Sequence, residues 1–206
     1  MTLLWIIGNG GHAKVAIDTL RATGIHTLAG IVSDDSAMTP VIPNVMHTGP
    51  VSRETMQQQG IRQAFIAIGT NATRARIATE LGPDVEWIPL IHPSAIVSPA
   101  AMIGSGVLLA AGSIVQTSTH IGEHAIINTA ASIDHDCDIG KYTHIAPGVH
   151  IAGGVTVGEQ TLVGIGSSVI PGINIGKHVT IGAGSVIIRD VPDGAKVAGN
   201  PATPIR

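Results

Sequence analysis

IGKYTHIAPGVHIAGGVT, residues 139–156, returns an isoleucine at every sixth position. Followed in both directions, the same frame runs from Ile91 to Ile187, and each of its 17 first positions is Ile, Val or Leu. A period of six is neither the 3.6 of a helix nor the two of a half-buried strand. It fits short strands joined by tight turns that keep returning one aliphatic residue to a shared interior. Gly, Ala or Asn often follows that residue, where a side chain would crowd the turn. Residues 91–192 are therefore expected to form a β-solenoid.

Composition points the same way. In 206 residues the only large rings are Trp5, Phe65, Trp87 and Tyr142, so the core must be filled by Ile, Val, Leu and Ala, and the 26 glycines suit an architecture rich in turns. A net charge of −3 without a basic stripe, and too few rings for a stacking platform, argue against nucleic-acid binding. A single cysteine, Cys137, excludes an internal disulfide framework. The start LLWIIGNGG has no signal-peptide pattern, and no apolar run is long enough to span a bilayer. A cytoplasmic protein without membrane partners is the expectation.

Residues 1–90 lack the period of six. Apolar runs at LLWIIG, TLAGIV, AFIAIG and VEWIPLI alternate with helical candidates near 11–23, 52–59 and 72–81. This β-α-β-α-β-α-β order predicts a small parallel sheet of the nucleotide-binding kind, a half-Rossmann-like α/β domain. GNGGHAKV follows the first strand: Gly8, Gly10 and Ala13 match G-x-G-x-x-A, and Asp34 lies about where a ribose-binding carboxylate belongs. On the residues alone, a plain tight turn, an NAD site and a sugar-nucleotide site all remain open.

The hexads resemble those of the hexapeptide-repeat acyltransferases, which implies a left-handed parallel β-helix with three hexads per coil, hence between five and six coils here. The left hand opposes the usual crossover rule and comes from the resemblance alone. VPDGAKVAGNPATPIR resembles that family's closing segment, so 193–206 is expected to cap the helix. With the opening loop, the resemblance narrows to nucleotide-sugar acetyltransferases of the bacillosamine, perosamine and sialic-acid type, which begin with G-x-x-G-H-x-x-V. It implies that Gly10, Gly11 and His12 form the substrate loop, that Asp34 and Asp35 meet the base or ribose, and that Gly69, Asn71 and Arg74 of IGTNATR edge the same pocket. Asn128 would face the sugar.

In that family the catalytic histidine precedes an acidic residue, and HDC at 135–137 matches, making His135 the general base and Asp136 its partner. The chemistry suits an amine attacking a thioester, since an imidazole near pKa 6.5 can take the amine's proton and a carboxylate can fix its tautomer. One 18-residue coil beyond His135 lies Gly153, whose backbone N–H would hold the thioester oxygen as charge develops. Pro147, Ile165 and Ala183 share one column. The resemblance places acetyl-CoA along such a groove between subunits of a homotrimer, at His144, Ile165 and Ala183. Cys137 occupies a fifth position where small residues recur, which favours packing over nucleophilic chemistry. Zinc-dependent solenoids carry H-x-x-x-x-H, and no two histidines here are five apart, so no metal is expected. The reading is an acetyl-CoA-dependent N-acetyltransferase of a nucleotide-linked 4-amino-4,6-dideoxy sugar, with a sialic-acid O-acetyltransferase and a dinucleotide-binding protein as alternatives.

Overall fold

The computed structural model describes residues 2–34 and 40–205. Thr2–Ile7 (β1), His26–Val32 (β2), His47–Thr48 (β3), Gln63–Ile66 (β4) and Glu86–Trp87 (β5) form a parallel sheet in the order β3-β2-β1-β4-β5. The central strand is apolar at successive positions because both sheet faces are covered. Leu4 and Ile6 pack against Ala13, Ile17 and Leu20 of α1 (Gly11–Thr23), while Trp5 and Ile7 meet Met56 of α2 (Arg53–Gln58) and Ile77 and Leu81 of α3 (Asn71–Leu81). The edge strand β3 is absent from the order read in the sequence, since two residues carry no periodicity to detect.

From Leu90 the chain winds through two-residue strands that stack with an 18-residue register, as in Ile126↔His144, Ser132↔His150 and Asp138↔Thr156. Three parallel sheets result. The first face carries the strands at 108–109, 126–127, 144–145 and 162–163, the second those at 114–115, 132–133 and 150–151, and the third those at 120–121, 138–139 and 156–157. Each hexad sends two side chains inward. The first position supplies the large aliphatic group, and the fifth a smaller one such as Ala125, Cys137 or Val155, all buried. Where the fifth residue is threonine its hydroxyl reaches a carbonyl of the next coil: Thr119 Oγ1 donates to Asp134 O at 2.7 Å and Thr161 Oγ1 to Gly176 O at 2.7 Å, so burial leaves these two groups paired, whereas the buried Ser113 hydroxyl at the same position has no partner among the described residues.

The turn itself sits at the fourth position. All 14 residues in that place from 106 to 184 have φ between 54° and 72°, and half are not glycine, among them His124, Asp136 and Tyr142. Glycine at the second position answers a different need: a Cβ on Gly140 would lie 2.6 Å from the Glu159 amide nitrogen of the next coil. Beyond the last hexad, Lys196–Gly199 pairs alongside Thr180–Ile181 on the first face and turns back antiparallel to Ala202–Pro204, with Val191 and Val197 joining the common core.

The α/β domain rests on the first face, where α1 and β1 share a core with Leu90, Leu108, Ala110 and Ile126. Gly140→Ala is expected to force the coils apart and cost about 1–3 kcal/mol, read as a lowered urea midpoint, while Gly10→Ala, with nothing within 4 Å of its Cβ, leaves the midpoint close to that of the parent chain.

Candidate functional site

The chain leaves β1 toward β2 on one side and β4 lies on the other, which is the switch point where open parallel sheets bind ligands at their carboxyl ends. A cleft of about 330 Å³ lies there, bounded by Gly10, Gly11, His12, Ser33, Asp34 and Gly69. Gly8 makes the turn possible: its φ is +118°, and a Cβ would come within 2.9 Å of Ala67 O. Gly10 and Gly11 face open space instead. α1 begins without a side-chain cap and without an acidic residue in its first turn, so its N-terminal amides are available to a phosphate. Asp34 Oδ1 accepts from Val51 N at 2.9 Å, which braces the carboxylate at the rim. Asp35 lies outside the described residues.

Asn71 and Arg74 are not walls of this cleft; Thr73 and Ile77 of the same helix are. Arg74 has no solvent exposure, and its donors are committed to the chain's own oxygens. Nε donates to His124 O at 2.7 Å, Nη2 to Tyr142 O at 2.7 Å and Asn71 Oδ1 at 3.0 Å, and Nη1 to Ile68 O at 2.9 Å and Gly69 O at 3.1 Å. Burial lowers its pKa to about 10, so it stays charged near neutrality. Asn71 Nδ2 donates in turn to Gln160 O and Thr161 O, at 3.0 and 3.1 Å. A helix start that reads as a substrate loop is thus a joint between the domains.

His144 stands on the first face, with Nδ1 3.3 Å from Gly69 O and Nε2 3.1 Å from Asn128 Nδ2. The His12 ring lies 6.2 Å from it, centre to centre. His124, at the same joint, stacks on Tyr142 at 5.4 Å and meets Trp87 edge-on at 5.1 Å. Burial, with Arg74 nearby, lowers His124 and His144 to about pKa 4; burial, then His144 and Arg74, do the same to His12. Composition could single out none of this, because each partner lies on a different element.

His135 occupies the corner between the second and third faces, on the side of the helix away from the α/β domain. Its Nδ1 is 2.8 Å from Asp136 Oδ2, and this hydrogen bond raises the imidazole pKa above its ordinary value. Asp136 is itself a left-handed corner residue, φ +58°, and that turn brings its carboxylate back to the preceding side chain. The ring lies over Gly153: a Cβ there would fall 2.5 Å from His135 Cε1 and 2.7 Å from Nε2. Gly154 N donates to His135 O at 2.9 Å, locking the two coils together at this corner. Ile165 and Ala183 are exposed on the corner between the first and second faces, and Ile165 is 57% accessible. Cys137 is buried with Sγ 3.3 Å from Ala152 O, and burial raises its thiol pKa, as a packing residue requires. Among the described residues no cluster of three or more His, Cys, Asp or Glu is placed to hold a metal, and no helix is long and apolar enough to cross a membrane.

A nucleotide-binding type of α/β domain seated on a six-residue-repeat parallel β-helix defines the class of hexapeptide-repeat transferases. Residues 3–81 match the PglD N-terminal domain. A variant of perosamine N-acetyltransferase from Caulobacter crescentus with one histidine changed to asparagine, solved in complex with CoA and GDP-perosamine, superposes with a TM-score of 0.93 at 39% identity, covering all of this chain and 98% of that one. The acetyltransferase domain of PglB from Neisseria gonorrhoeae, in complex with acetyl coenzyme A, gives 0.88 at 36% identity over 98% of each chain. UDP-N-acetylbacillosamine N-acetyltransferase of Bacillus subtilis is 42% identical over 109 residues, a segment that is 52% of this chain and 50% of that relative. The chain belongs to this family of nucleotide-sugar acetyltransferases, and its repeat domain is a left-handed parallel β-helix.

The shielded histidines predict an acid-sensitive fold. Their folded pKa values near 4 lie below the unfolded value near 6.5, so between these limits the unfolded chain takes up protons that the folded one refuses. Their contribution is complete above pH 6.5 and is lost as the pH falls toward 4. Urea unfolding at pH 7.5 and pH 5 is expected to differ by roughly 1–2 kcal/mol for each ring, and His124→Phe is expected to reduce that difference.

Proposed function

We propose that the chain transfers the acetyl group of acetyl-CoA to the amino group of a nucleotide-linked 4-amino-4,6-dideoxy sugar, with His135 as general base. The observation that carries this reading is the exposed His135–Asp136 pair, 2.8 Å apart, seated on Gly153. An ionised Asp136 can only accept, so it holds the proton on Nδ1 and leaves Nε2 as the basic nitrogen. Nε2 takes the amine's proton as the nitrogen–carbon bond forms and the carbon–sulfur bond breaks, and CoA leaves as the thiolate. The Gly153 amide, which no acceptor among the described residues engages, is the donor for the carbonyl oxygen as negative charge develops on it.

The cleft at the end of β1 suits the nucleotide. Bare amides of Gly11 and His12 at the start of α1 receive a phosphate, and Asp34 the ribose or base. Asn128 and His12, at the edge where the cleft meets the first face, stand where the sugar would emerge. The exposed column of Ile165 and Ala183 offers a smooth flank for the pantetheine arm, which asks for backbone hydrogen bonds and little charge. Support for both ligands comes from relatives solved with CoA and GDP-perosamine or with acetyl coenzyme A. The single buried cysteine accords with work in the cytoplasm, where acetyl-CoA is made.

Cleft and base belong to opposite sides of the same helix, so a homotrimer in which the cleft of one protomer meets His135 of the next unites them. Light scattering is expected to give about three chain masses; one chain mass would contradict the arrangement.

Release of CoA from acetyl-CoA is the direct assay, run against UDP-, dTDP- and GDP-linked 4-amino sugars together with free and CMP-linked sialic acid. Turnover of one amino sugar, lost about 1000-fold or more in His135→Ala, is expected. Turnover of a sialic acid alone would make the enzyme an O-acetyltransferase. Because only neutral His135 is a base and Asp136 raises its pKa, the rate falls on the acid side above pH 6.5. Asp136→Asn is expected to move that limb to lower pH while lowering the plateau.

A further inference from the structure

His144 has no part in the proton transfer described above, yet both of its ring nitrogens are committed. Nδ1 faces Gly69 O at 3.3 Å. A carbonyl can only accept, and this one already takes Arg74 Nη1 at 3.1 Å, so the imidazole proton must reside on Nδ1. Burial, and then Arg74, keep the ring neutral, and the His12 ring is the other titratable group that faces it. Nε2 is then a bare acceptor, and its neighbour at 3.1 Å must donate, which assigns that atom of Asn128 as the amide nitrogen. The other end of Asn128 agrees, since its Oδ1 accepts from Thr129 N at 2.8 Å.

One direction of donation therefore runs through three residues of two domains, from Asn128 through His144 to the Gly69 carbonyl. Gly69 is part of the wall of the nucleotide cleft. Asn128 has a second N–H that no acceptor among the described residues takes up. With the ring reversed, the Asn128 amide would have to turn and offer its oxygen, losing the bond from Thr129.

We propose that His144 is a positioning residue that holds Asn128 as an N–H donor toward an oxygen of the bound substrate and links that donor to the wall of the nucleotide cleft. The occupant of the donor is an acceptor of the carbonyl, hydroxyl or phosphate class. A group that brings only N–H to this point is rejected, because nothing in the chain can turn the amide round. Nucleotide that shifts the Gly69 carbonyl changes the hold on His144 and so the aim of Asn128, without touching either side chain. The catalytic part of this inference rests on the acetyl-transfer reading, whereas the relay itself does not.

The test has two arms. Nitrogen-15 spectra of the full chain labelled at histidine, at pH 7, are expected to show His144 protonated at Nδ1 and bare at Nε2, with both resonances moving when UDP or GDP is added. The opposite tautomer, or resonances indifferent to both nucleotides at saturation, would overturn the relay, and this arm is independent of any acetylation. In the kinetic arm, His144→Ala and Asn128→Ala are each expected to lower kcat by ~10–100-fold, and the double variant no further than the worse of the two. Multiplicative losses would show two separate roles and refute the positioning claim.

Discussion

A guanidinium with no exposure and no carboxylate partner among the described residues holds the two halves of the molecule together. Arg74 survives burial because carbonyl dipoles converge on it from the α3 entry and from two successive coils of the helix. Removing any one element would leave a buried cation unmatched, a loss of about 3–5 kcal/mol in comparable settings. Burial, reinforced by the same charge, keeps three nearby imidazoles neutral, and beside it His124 stacks on Tyr142 and meets Trp87 edge-on. The α/β domain is thus held at a fixed height and rotation on the first face, not tethered as a loose attachment.

That rigidity sets the logic of the site. The cleft at the end of β1, His12, Asn128 and His144 gather on one side of the triangular coil, and the His135–Asp136 pair stands at the opposite corner. The two places therefore stay apart within one protomer. His135 in turn depends on stacking, since its ring fits only over a residue with no side chain, one coil away.

The six-residue frame was readable because its cause is local and repeated: one inward aliphatic per hexad, copied without a slip. Gly153 under His135 followed from the 18-residue coil, and Gly10, Gly11, His12 and Gly69 do border one cleft. Arg74 and Asn71 were misplaced because partners of theirs lie 50 to 90 residues away on other elements, and a motif match says nothing about which neighbour a side chain will choose. The left-handed corners were hidden for a different reason. Half are occupied by ordinary residues, held in an unfavourable conformation by ladder bonds on either side, so the glycine signal expected there is diluted.

The coil also acts as a ruler. Strands in neighbouring coils lie ~4.8 Å apart, so heights along the helix come only in steps of that size. A gain or loss of sequence within the stacked strands, as opposed to a loop bulging from a corner, must be a whole coil to keep the core in register, and it moves everything beyond it by one full step. His135 and Gly153 tolerate no such step between them, and neither do the levels at which Arg74 and Asn71 grip successive coils.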